Sequence, residues 1–427
     1  MEQPHKRILV VSQHYWPENF RITDICRGFA ESGVEVDVLC GLPNYPKGEW
    51  FEGYRYAGPR RQQHEGAQLF RAGEVPRRGN TAVRIFLNYV SWPVFALFSL
   101  PRLHGRRYDA VFCYETSPVL MMMPAIVYAK LHRVPLCTYV LDLWPENLYS
   151  VLPVKSRALR AAAAGVSHWL YRRSDTLVAM SGALGEKLRA IAPQRTVAVV
   201  PQYCEDLYAQ DVCDEALAAR FAGRFCVVFA GNISPAQDLG LLVSCAKRLA
   251  AEGRRDIHFC IVGDGMSRGQ LEADIRSAGV QEYFTFEGMQ PVERIPAYHT
   301  MAGALFAALA KSDDLGLTVP AKITSYMAAG RPLLVAADGE AARAVQSAGC
   351  GLACAAGDEQ ALYQNLVRLA DMPAGGSAGC GLACAAGMSA RRTRFWYRAG
   401  RSYFRAHYRR SLLLHRLLAC ILGESAE

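Results

Sequence analysis

The stretch from Phe259 to Glu340 constrains the fold of this chain most strongly. It contains four apolar runs that end in small or polar residues, and a helix-like segment follows each run. The runs lie at Phe259–Gly265, Phe284–Gly288, Gly303–Leu309 and Pro332–Ala336. This alternation is typical of a parallel β-sheet with crossover helices. Ligands of such sheets bind at the carboxyl ends of the strands.

Charged residues and glycines cluster at the end of that stretch. Lys322 precedes a helix-like segment that ends at Gly330. The next apolar run is followed by Asp338, Gly339 and Glu340. Phosphates bind cations and backbone N–H groups, and a ribose diol binds a carboxylate. The pattern therefore predicts a nucleotide-sugar site at this sheet edge.

Length and charge limit the class of protein. The chain has 427 residues, enough for two or three domains, and its 51% hydrophobic content fits a globular protein. The net charge is +9, and nine arginines with no acid lie between Arg391 and Arg416. This cluster predicts an anionic neighbour, either a membrane surface or a polyanion. No RNA-binding motif accompanies it, so we expect no nucleic-acid partner.

The cysteines indicate a reducing compartment. None of the fourteen forms a CxxC pair or a zinc-ligand spacing with histidine. Most lie in apolar strand-like runs, where cysteine acts as a small hydrophobic residue. We therefore expect free thiols in a cytoplasmic protein, with no signal peptide, no metal ion and no cofactor.

Two series of strands and helices follow one another along the chain. The first series has strand-like runs at Ile8–Ser12, Val36–Cys40, Ala110–Tyr114, Leu136–Leu141, Thr176–Met180 and Val197–Val200. A second series begins at Phe225, and Arg391–Leu422 is helix-like. Two Rossmann-like, doubly wound α/β domains in tandem are the simplest interpretation.

The segment SAGCGLACAAG occurs twice, at Ser347–Gly357 and at Ser377–Gly387. The first copy lies where a strand and a loop are expected. Two copies are too few for a repeat architecture. The second copy is therefore interpreted as a local duplication that forms a loop and could disturb the last helices.

The apolar segment Ala82–Leu100 is long enough to cross a membrane. Arg84, Asn88 and Pro93 argue against a span, and a span would split the first sheet across a bilayer. Two interpretations stay open. Trp92, Phe95 and Phe98, followed by Arg102, Arg106 and Arg107, suit a helix in a membrane interface; the alternative is a core helix.

Six motifs in this order resemble the retaining GT-B glycosyltransferases of family four. They are SQHYWPEN at Ser12–Asn19, GLPNYPKG at Gly41–Gly48, DLWPE at Asp142–Glu146, FAGNIS at Phe229–Ser234, IVGDG at Ile261–Gly265 and PAKITSYMAAGRP at Pro320–Pro332. They span nearly the whole chain. The similar branch builds bacterial surface polysaccharides and includes the O-antigen fucosamine transferase and the colanic-acid transferases.

The resemblance implies a GT-B fold of two Rossmann-like domains facing a cleft, with a terminal helix that crosses back to the first domain. Residues 1–205 would form the acceptor-side domain and residues 206–395 the nucleotide-sugar domain. Residues 396–427 would form a basic helix on or near the first domain.

On the donor side, the resemblance implies binding by Gly231, Asn232, Gly263, Asp264 and Gly265. Typical members carry an Arg and a Lys that hold the diphosphate. Here Asn232 and Gln237 occupy those positions. The missing charge therefore has to come from elsewhere.

Two glutamates that mark the family are also replaced, by Leu317 and Ser325. Lys322 and the N-terminus of its helix are expected to bind the diphosphate instead. Glu340 is expected to bind the ribose or the sugar. The alternative for Glu340 is an acid that only stabilises a helix N-terminus.

On the acceptor side, His14, Pro17 and Glu18 follow the first strand, and Asn44 and Tyr45 lie in a proline-rich loop at a strand end. The resemblance implies that these loops line the cleft and contact the acceptor. A surface histidine and a plain connection are the alternatives.

The DLWPE motif adds carboxylates at another strand end. Asp142 and Glu146 could bind sugar hydroxyls or accept a proton, and Trp144 could stack on a sugar or a lipid. The neighbouring Glu115 and Ser117 could face the same cleft. A structural loop capped by Asp142 is the alternative.

The implied reaction is transfer of a hexosyl group with retention and without a metal ion. The leaving diphosphate would take the proton of the acceptor hydroxyl, and Lys322, Glu340 and Asp142 would be the catalytic residues. The donor would be a UDP-sugar, and an N-acetylated deoxyhexosamine is a candidate for its sugar.

The acceptor would be a polyprenyl-diphosphate-linked glycan in O-antigen, capsule or exopolysaccharide synthesis. The enzyme would then lie peripherally on the cytoplasmic face of the cell membrane. Arg398, Arg401, Arg405 and Arg409 recur at helical spacing and would face the anionic lipid.

Other functions remain open at this point. The same fold serves UDP-sugar 2-epimerases. Because the usual cations and glutamates are missing, a weakly active member that binds a polysaccharide-assembly complex is a further alternative. An NAD-dependent dehydrogenase is disfavoured, since neither domain starts with GxGxxG.

Overall fold

A computed structural model describes residues 6–151, 156–312, 315–372 and 390–424. The chain forms two compact units, one of Met1–Val200 with Ser411–Glu427 and one of Pro201–Arg410. The boundaries therefore fall at 200 and 410 rather than at 205 and 395. Within the second unit, the backbone N–H of Cys204 donates to the carbonyl of Tyr408 (3.1 Å), which pairs the first residues of the unit with its last.

The first unit contains an eight-stranded sheet in the order β3-β4-β2-β1-β5-β6-β7-β8. The strands are β1 Arg7–Val11, β2 Glu35–Cys40, β3 Arg61–His64, β4 Ala67–Arg71, β5 Ala110–Glu115, β6 Leu136–Val140, β7 Thr176–Ala179 and β8 Thr196–Val199. All neighbours are parallel except β3 and β4, which form an antiparallel hairpin. The runs at β1, β5 and β6 are apolar and buried on both faces, as central parallel strands require.

Helices cover this sheet, and several begin at polar caps. They are α1 Ile22–Glu31, α2 Ala82–Ser99, α3 Met122–His132, α4 Glu146–Val151, α5 Arg157–Tyr171 and α6 Gly182–Ile191. Thr81, Ser156 and Ser181 each accept a backbone N–H at the start of a helix, which ends the preceding loop.

The second unit contains a six-stranded parallel sheet in the order β11-β10-β9-β12-β13-β14. Its strands are β9 Phe225–Ala230, β10 Ile257–Val262, β11 Phe284–Gly288, β12 Ala304–Ala308, β13 Leu333–Ala336 and β14 Gly351–Cys354. Its helices are α7 Glu215–Arg220, α8 Gly240–Ala251, α9 Arg268–Ala278, α10 Ile295–Met301, α11 Ala321–Ala329, α12 Glu340–Ala348, α13 Glu359–Ala370 and α14 Ala390–His407.

The expected tandem of doubly wound domains is confirmed, and two local expectations need correction. The six strand-like runs of the first half are strands within one residue of the expected bounds. The β3–β4 hairpin was not expected, because RQQH and AQLFR lack an apolar strand pattern. The helix expected over Arg391–Leu422 divides into α14 and α15, Arg410–Leu422, where Tyr408 and Arg409 pair with Cys204.

The duplicated segment is described in part. Its first copy spans the end of α12 and the strand β14, as expected. Its second copy, Ser377–Gly387, lies outside the described residues.

Candidate active site

The glycine turns after β9 and β10 pack directly against each other. Gly263 has φ of 129°, and a β-carbon there would lie 2.0 Å from the carbonyl oxygen of Gly231. A β-carbon on Gly265 would lie 2.5 Å from the Asn232 side-chain oxygen. Glycine is therefore required at Gly263, and four predicted donor residues, Gly231, Asn232, Gly263 and Gly265, meet at one sheet edge.

Asp264 also lies at this sheet edge, and its side chain contacts nearby residues of the same segment. Its side chain accepts the backbone N–H of Gly265 (2.8 Å) and lies 3.4 Å from the Arg268 guanidinium. Its carbonyl accepts the N–H of Ile233 (2.8 Å), which ties the two turns together. The side chain of Asp264 thus holds the turn in shape.

Lys322 reaches over the turn from the first residues of α11. Its ammonium lies 4.0 Å from the centre of the Phe229 ring and 3.3 Å from where a β-carbon of Gly231 would be. It donates to the side-chain oxygen of Gln237. Gln237 holds the place of the family's usual lysine, so Lys322 brings a cation to the same neighbourhood from another helix.

Burial lowers the pKa of Lys322 from 10.5 to about 7, because the ammonium loses water. Among the described residues, no carboxylate forms an ion pair with it. A partly buried cation with no carboxylate partner in the described part of the chain, at the N-terminus of helix α11, is suited to an anion such as a diphosphate.

Glu340 is the first residue of α12, the helix that follows the carboxyl end of β13. It pairs with Arg343 (2.9 Å) on its own helix. The preceding Gly339 has φ of 68°, and a β-carbon there would lie 2.1 Å from the carbonyl oxygen of Gly316. Glu340 is thereby placed beside the turn that carries Leu317, where the family usually has a glutamate.

In the first unit, His14 and Glu18 form a buried pair. The Nδ1 atom of His14 lies 2.7 Å from a carboxylate oxygen of Glu18. The other oxygen of Glu18 accepts the backbone N–H groups of Asn44 and Tyr45, both at 2.7 Å. The structure therefore brings together the two loops that were predicted to lie on the acceptor side. Pro17 is partly exposed in the turn before Glu18.

His14 itself is buried, and its contact with a ligand stays a prediction. Its ring stacks on Phe20 at 4.6 Å, and its Nε2 atom faces the Arg77 guanidinium at 3.4 Å. Both ring nitrogens thus have partners within the protein. The histidine organises the loops, and Tyr45, which is 39% exposed, presents the outer surface.

Arg77, Asn88, Glu74 and Gln13 extend this pair into a network that sequence reasoning missed. The Arg77 Nε–H donates to Asn88 (3.1 Å), and Asn88 and Gln13 each donate to the same Glu74 oxygen (2.9 and 2.6 Å). Burial and the nearby Glu18 raise the pKa of Glu74 well above its usual value. Asn88 lies on the same face of α2 as the buried Trp92. A polar residue at such a core position is the sequence feature that could have indicated a buried polar network.

The DLWPE motif proves largely structural. An Asp142 oxygen accepts the Ser117 hydroxyl (2.9 Å), and the Trp144 indole N–H donates to the same hydroxyl (3.1 Å). Trp144 is 7% exposed and packs in the core, and its stacking on a sugar or a lipid stays a prediction. One oxygen of Glu146 is buried without a hydrogen bond.

Glu115 is fully buried at the end of β5, and neither carboxylate oxygen has a partner. Its burial raises its pKa well above the usual value, and Asp142 adds to the effect. Burial thus favours the neutral carboxyl group over the carboxylate at this position.

The described residues contain no group of three or more His, Cys, Asp or Glu side chains that could hold a metal ion. Twelve described cysteines are free thiols.

Comparisons with known proteins point to glycosyltransferases. Residues 19–202 match the glycosyl transferase 4-like domain, and residues 224–372 match the glycosyl transferases group 1 family. The chain is 26% identical over 367 residues to a 2-deoxystreptamine glucosyltransferase of Streptomyces kanamyceticus, covering 83% of this chain and 89% of that protein.

Two solved structures share the fold over nearly the full length. The sucrose-phosphate synthase of Thermosynechococcus elongatus gives a TM-score of 0.69 at 15% identity, covering 97% of both chains. Anabaena HepE in complex with UDP and glucose gives 0.65 at 14% identity, covering 98% of this chain and 100% of that chain. The two matched glycosyltransferase domains together span most of the sequence, and the solved structures show that the chain has the GT-B fold.

Proposed function

We propose that the protein transfers a sugar from a UDP-sugar, with retention of configuration, to a lipid-linked acceptor in bacterial surface-polysaccharide synthesis. The donor assignment rests on Lys322, a partly buried cation held over the glycine turn of Gly231. HepE, which shares the fold, binds UDP and glucose. The proposed cellular place is the cytoplasmic face of the cell membrane.

The proposed mechanism uses the charge that develops on the leaving group. As the sugar–phosphate bond breaks, negative charge grows on the diphosphate, and the Lys322 ammonium and the N-terminus of helix α11 would stabilise it. The departing diphosphate oxygen would take the acceptor's proton on the same face of the sugar. Donor and acceptor would be positioned before reaction, which lowers the entropic part of the barrier.

Glu340 and Asp142 have supporting roles in this proposal. Glu340, beside the Leu317 turn, would accept a hydrogen bond from a hydroxyl of the ribose or the sugar. Asp142, held by Ser117, would orient an acceptor hydroxyl. Neither residue has to change its protonation state.

A second acceptor class is favoured by one observation. The curated relative at 26% identity is named for transfer to 2-deoxystreptamine, a soluble aminocyclitol. The alternative function is therefore transfer of a sugar to a small aminocyclitol from the same donor site.

Product analysis tests both. Purified protein would be incubated with a panel of radiolabelled UDP-sugars and either polyprenyl-diphosphate-linked glycans or 2-deoxystreptamine. A butanol-extractable product whose new linkage keeps the donor's anomeric configuration supports the proposal. A water-soluble aminocyclitol product supports the second candidate. An altered UDP-sugar formed without acceptor, or an inverted linkage, contradicts the proposal.

A further inference from the structure

Helix α2 is apolar on both its faces. Its inner face is locked into the first unit, because Asn88, Trp92 and Ala96 are fully buried. Asn88 donates to Glu74 (2.9 Å) and to the carbonyl of Val75 (2.8 Å). A helix that is hydrophobic all round normally lies inside a core or in a membrane.

The outer face of α2 is nevertheless exposed. Val83, Leu87, Val94 and Phe98 recur every four or seven residues, so they form one stripe along the helix. Phe86 and Phe95 flank the stripe. Phe98 is 79% exposed, more than a soluble protein usually leaves an aromatic ring.

A groove continues this surface beyond the end of α2. It has a volume of about 670 Å³ and lies between the last turns of α2 and helix α3. Val94, Phe98 and Leu131 line it, and Leu131 is 71% exposed. The apolar surface is therefore contiguous across two helices, which marks an interaction site.

Cations border this surface and acids are scarce. Between Val75 and Leu141 the chain carries eight lysines and arginines but only two acids, Asp109 and Glu115. Glu115 is fully buried. The exposed cations are Arg78, Arg84, Arg102, Arg107, Lys130 and Arg133. An apolar face with a basic border is the chemistry of a surface that enters an anionic lipid headgroup layer.

We propose that the outer face of α2, together with the rim of the adjoining groove, docks the protein onto an anionic lipid bilayer. The helix lies in the membrane interface and does not cross it, because its inner face is held by Asn88 and Trp92 in the core. Trp92, expected from sequence to touch lipid, is fully buried, and Val83, Phe86 and Phe98 take that role. The inference deepens the proposed function by naming its membrane-contact surface.

Of the four arginines expected to face lipid, Arg398, Arg405 and Arg409 are exposed, and Arg401 is not. Arg401 is buried, and its guanidinium donates to the carbonyls of Ala328 (3.0 Å) and Ala209 (2.7 Å). Phe404 and Tyr408 are buried beside it. Arg401 therefore fastens α14 to its own unit.

Vesicle sedimentation tests the proposal. The full chain would be mixed with sucrose-loaded vesicles of phosphatidylcholine alone or with one-third phosphatidylglycerol, with no donor and no acceptor. We expect at least about tenfold stronger binding to the anionic vesicles, weakening with added salt. The double variant Phe86→Ser/Phe98→Ser should lose at least about tenfold in binding, since two inserted rings are removed.

Two further variants separate the contributions. Arg107→Gln/Lys130→Gln should weaken binding and flatten its salt dependence. Met289→Ser, at an exposed methionine in the second unit, should bind like the wild type. Thermal melts of all variants establish that each is folded.

The proposal is overturned if the wild type ignores anionic vesicles or if the phenylalanine variant binds them unchanged. It is also overturned if the phenylalanine variant only converts a dimer into a monomer, because the face would then be covered by a second copy. Since the vesicles contain no substrate, this result is independent of whether the transferase assay succeeds.

Discussion

The carboxylate of Glu18 in the first unit and the ammonium of Lys322 in the second unit are held very differently. Glu18 has His14 and two backbone N–H groups around it, at 2.7 Å each. Lys322 has a neutral amide and an aromatic ring among the described residues. A charge with all its partners inside the protein builds structure, whereas a buried charge without a counter-ion is suited to a ligand.

The comparison separates residues whose substitution lowers the stability of the fold from residues whose substitution weakens ligand binding. Three substitutions and one measurement of pH dependence test this separation, from the largest expected effect to the smallest.

Gly263→Ala should have the largest effect. Its β-carbon would meet the Gly231 carbonyl oxygen at 2.0 Å, and the backbone conformation suits glycine. We expect a loss of at least about 3 kcal/mol in the free energy of unfolding, measured with denaturant. Gly269→Ala is the control, since nothing lies within 4 Å there and the position is exposed in α9. It should stabilise by up to about 1 kcal/mol. Equal stabilities for the two variants would show that the turns do not touch.

Glu18→Ala should destabilise the first unit by about 2–3 kcal/mol, because three donors lose their acceptor in a buried site. UDP binding should be unchanged at temperatures where the variant is folded. Glu31→Ala, at an exposed acid that pairs loosely with Arg27 (3.7 Å), should change stability by less than about 0.5 kcal/mol. Normal stability with lost UDP binding in the Glu18 variant would reverse the assignment of the two units.

UDP-glucose affinity should fall as the pH rises from 6.5 to 8.5, by about tenfold. The Lys322 pKa of about 7 means that the empty site loses its positive charge over this range. The diphosphate diester of UDP-glucose keeps its charge over this pH range. Titration of the ligand therefore does not contribute to the change of affinity with pH. Calorimetry across this range on wild type and Lys322→Met would measure the effect, and the slope should vanish in the variant. An affinity that rises with pH in the wild type would contradict the account.

The same pKa shift has the opposite sign for stability. The folded pKa is about 7 and the ordinary value is 10.5, so the unfolded chain binds more protons between these values. Lys322 therefore contributes stability that rises with pH across that window. The binding and stability profiles should diverge with pH.

Much of the second unit could be predicted from local sequence. Gly231, Gly263 and Lys322 follow strands whose apolar runs are unambiguous, and parallel strands bring their carboxyl ends to one edge. The backbone conformation of the turns at Gly231 and Gly263 is one that glycine adopts readily, so the glycines themselves predict these turns. Strand bounds in the first half were predicted within one residue for the same reason.

The first unit was predicted less well because its polar network depends on tertiary contacts. Arg77 and Glu74 come from a loop after a hairpin without an apolar pattern, and Asn88 comes from a helix that reads as wholly apolar. Burial of His14 and Trp144 also follows from packing between segments far apart in sequence. Hydrophobic periodicity cannot report which loop covers a given ring.

The measurement that tests the central claim most directly is a calorimetric titration of UDP into wild type, Lys322→Ala and Lys247→Ala. Lys247 is an exposed lysine on α8 in the same unit and serves as the matched control. The account predicts that UDP binds to the wild type and to Lys247→Ala equally, and at least about tenfold more weakly to Lys322→Ala, because one charge-assisted contact with the diphosphate is lost. Equal affinity in all three proteins would contradict the assignment of Lys322 to the donor site, and no UDP binding to the wild type would contradict the proposed donor.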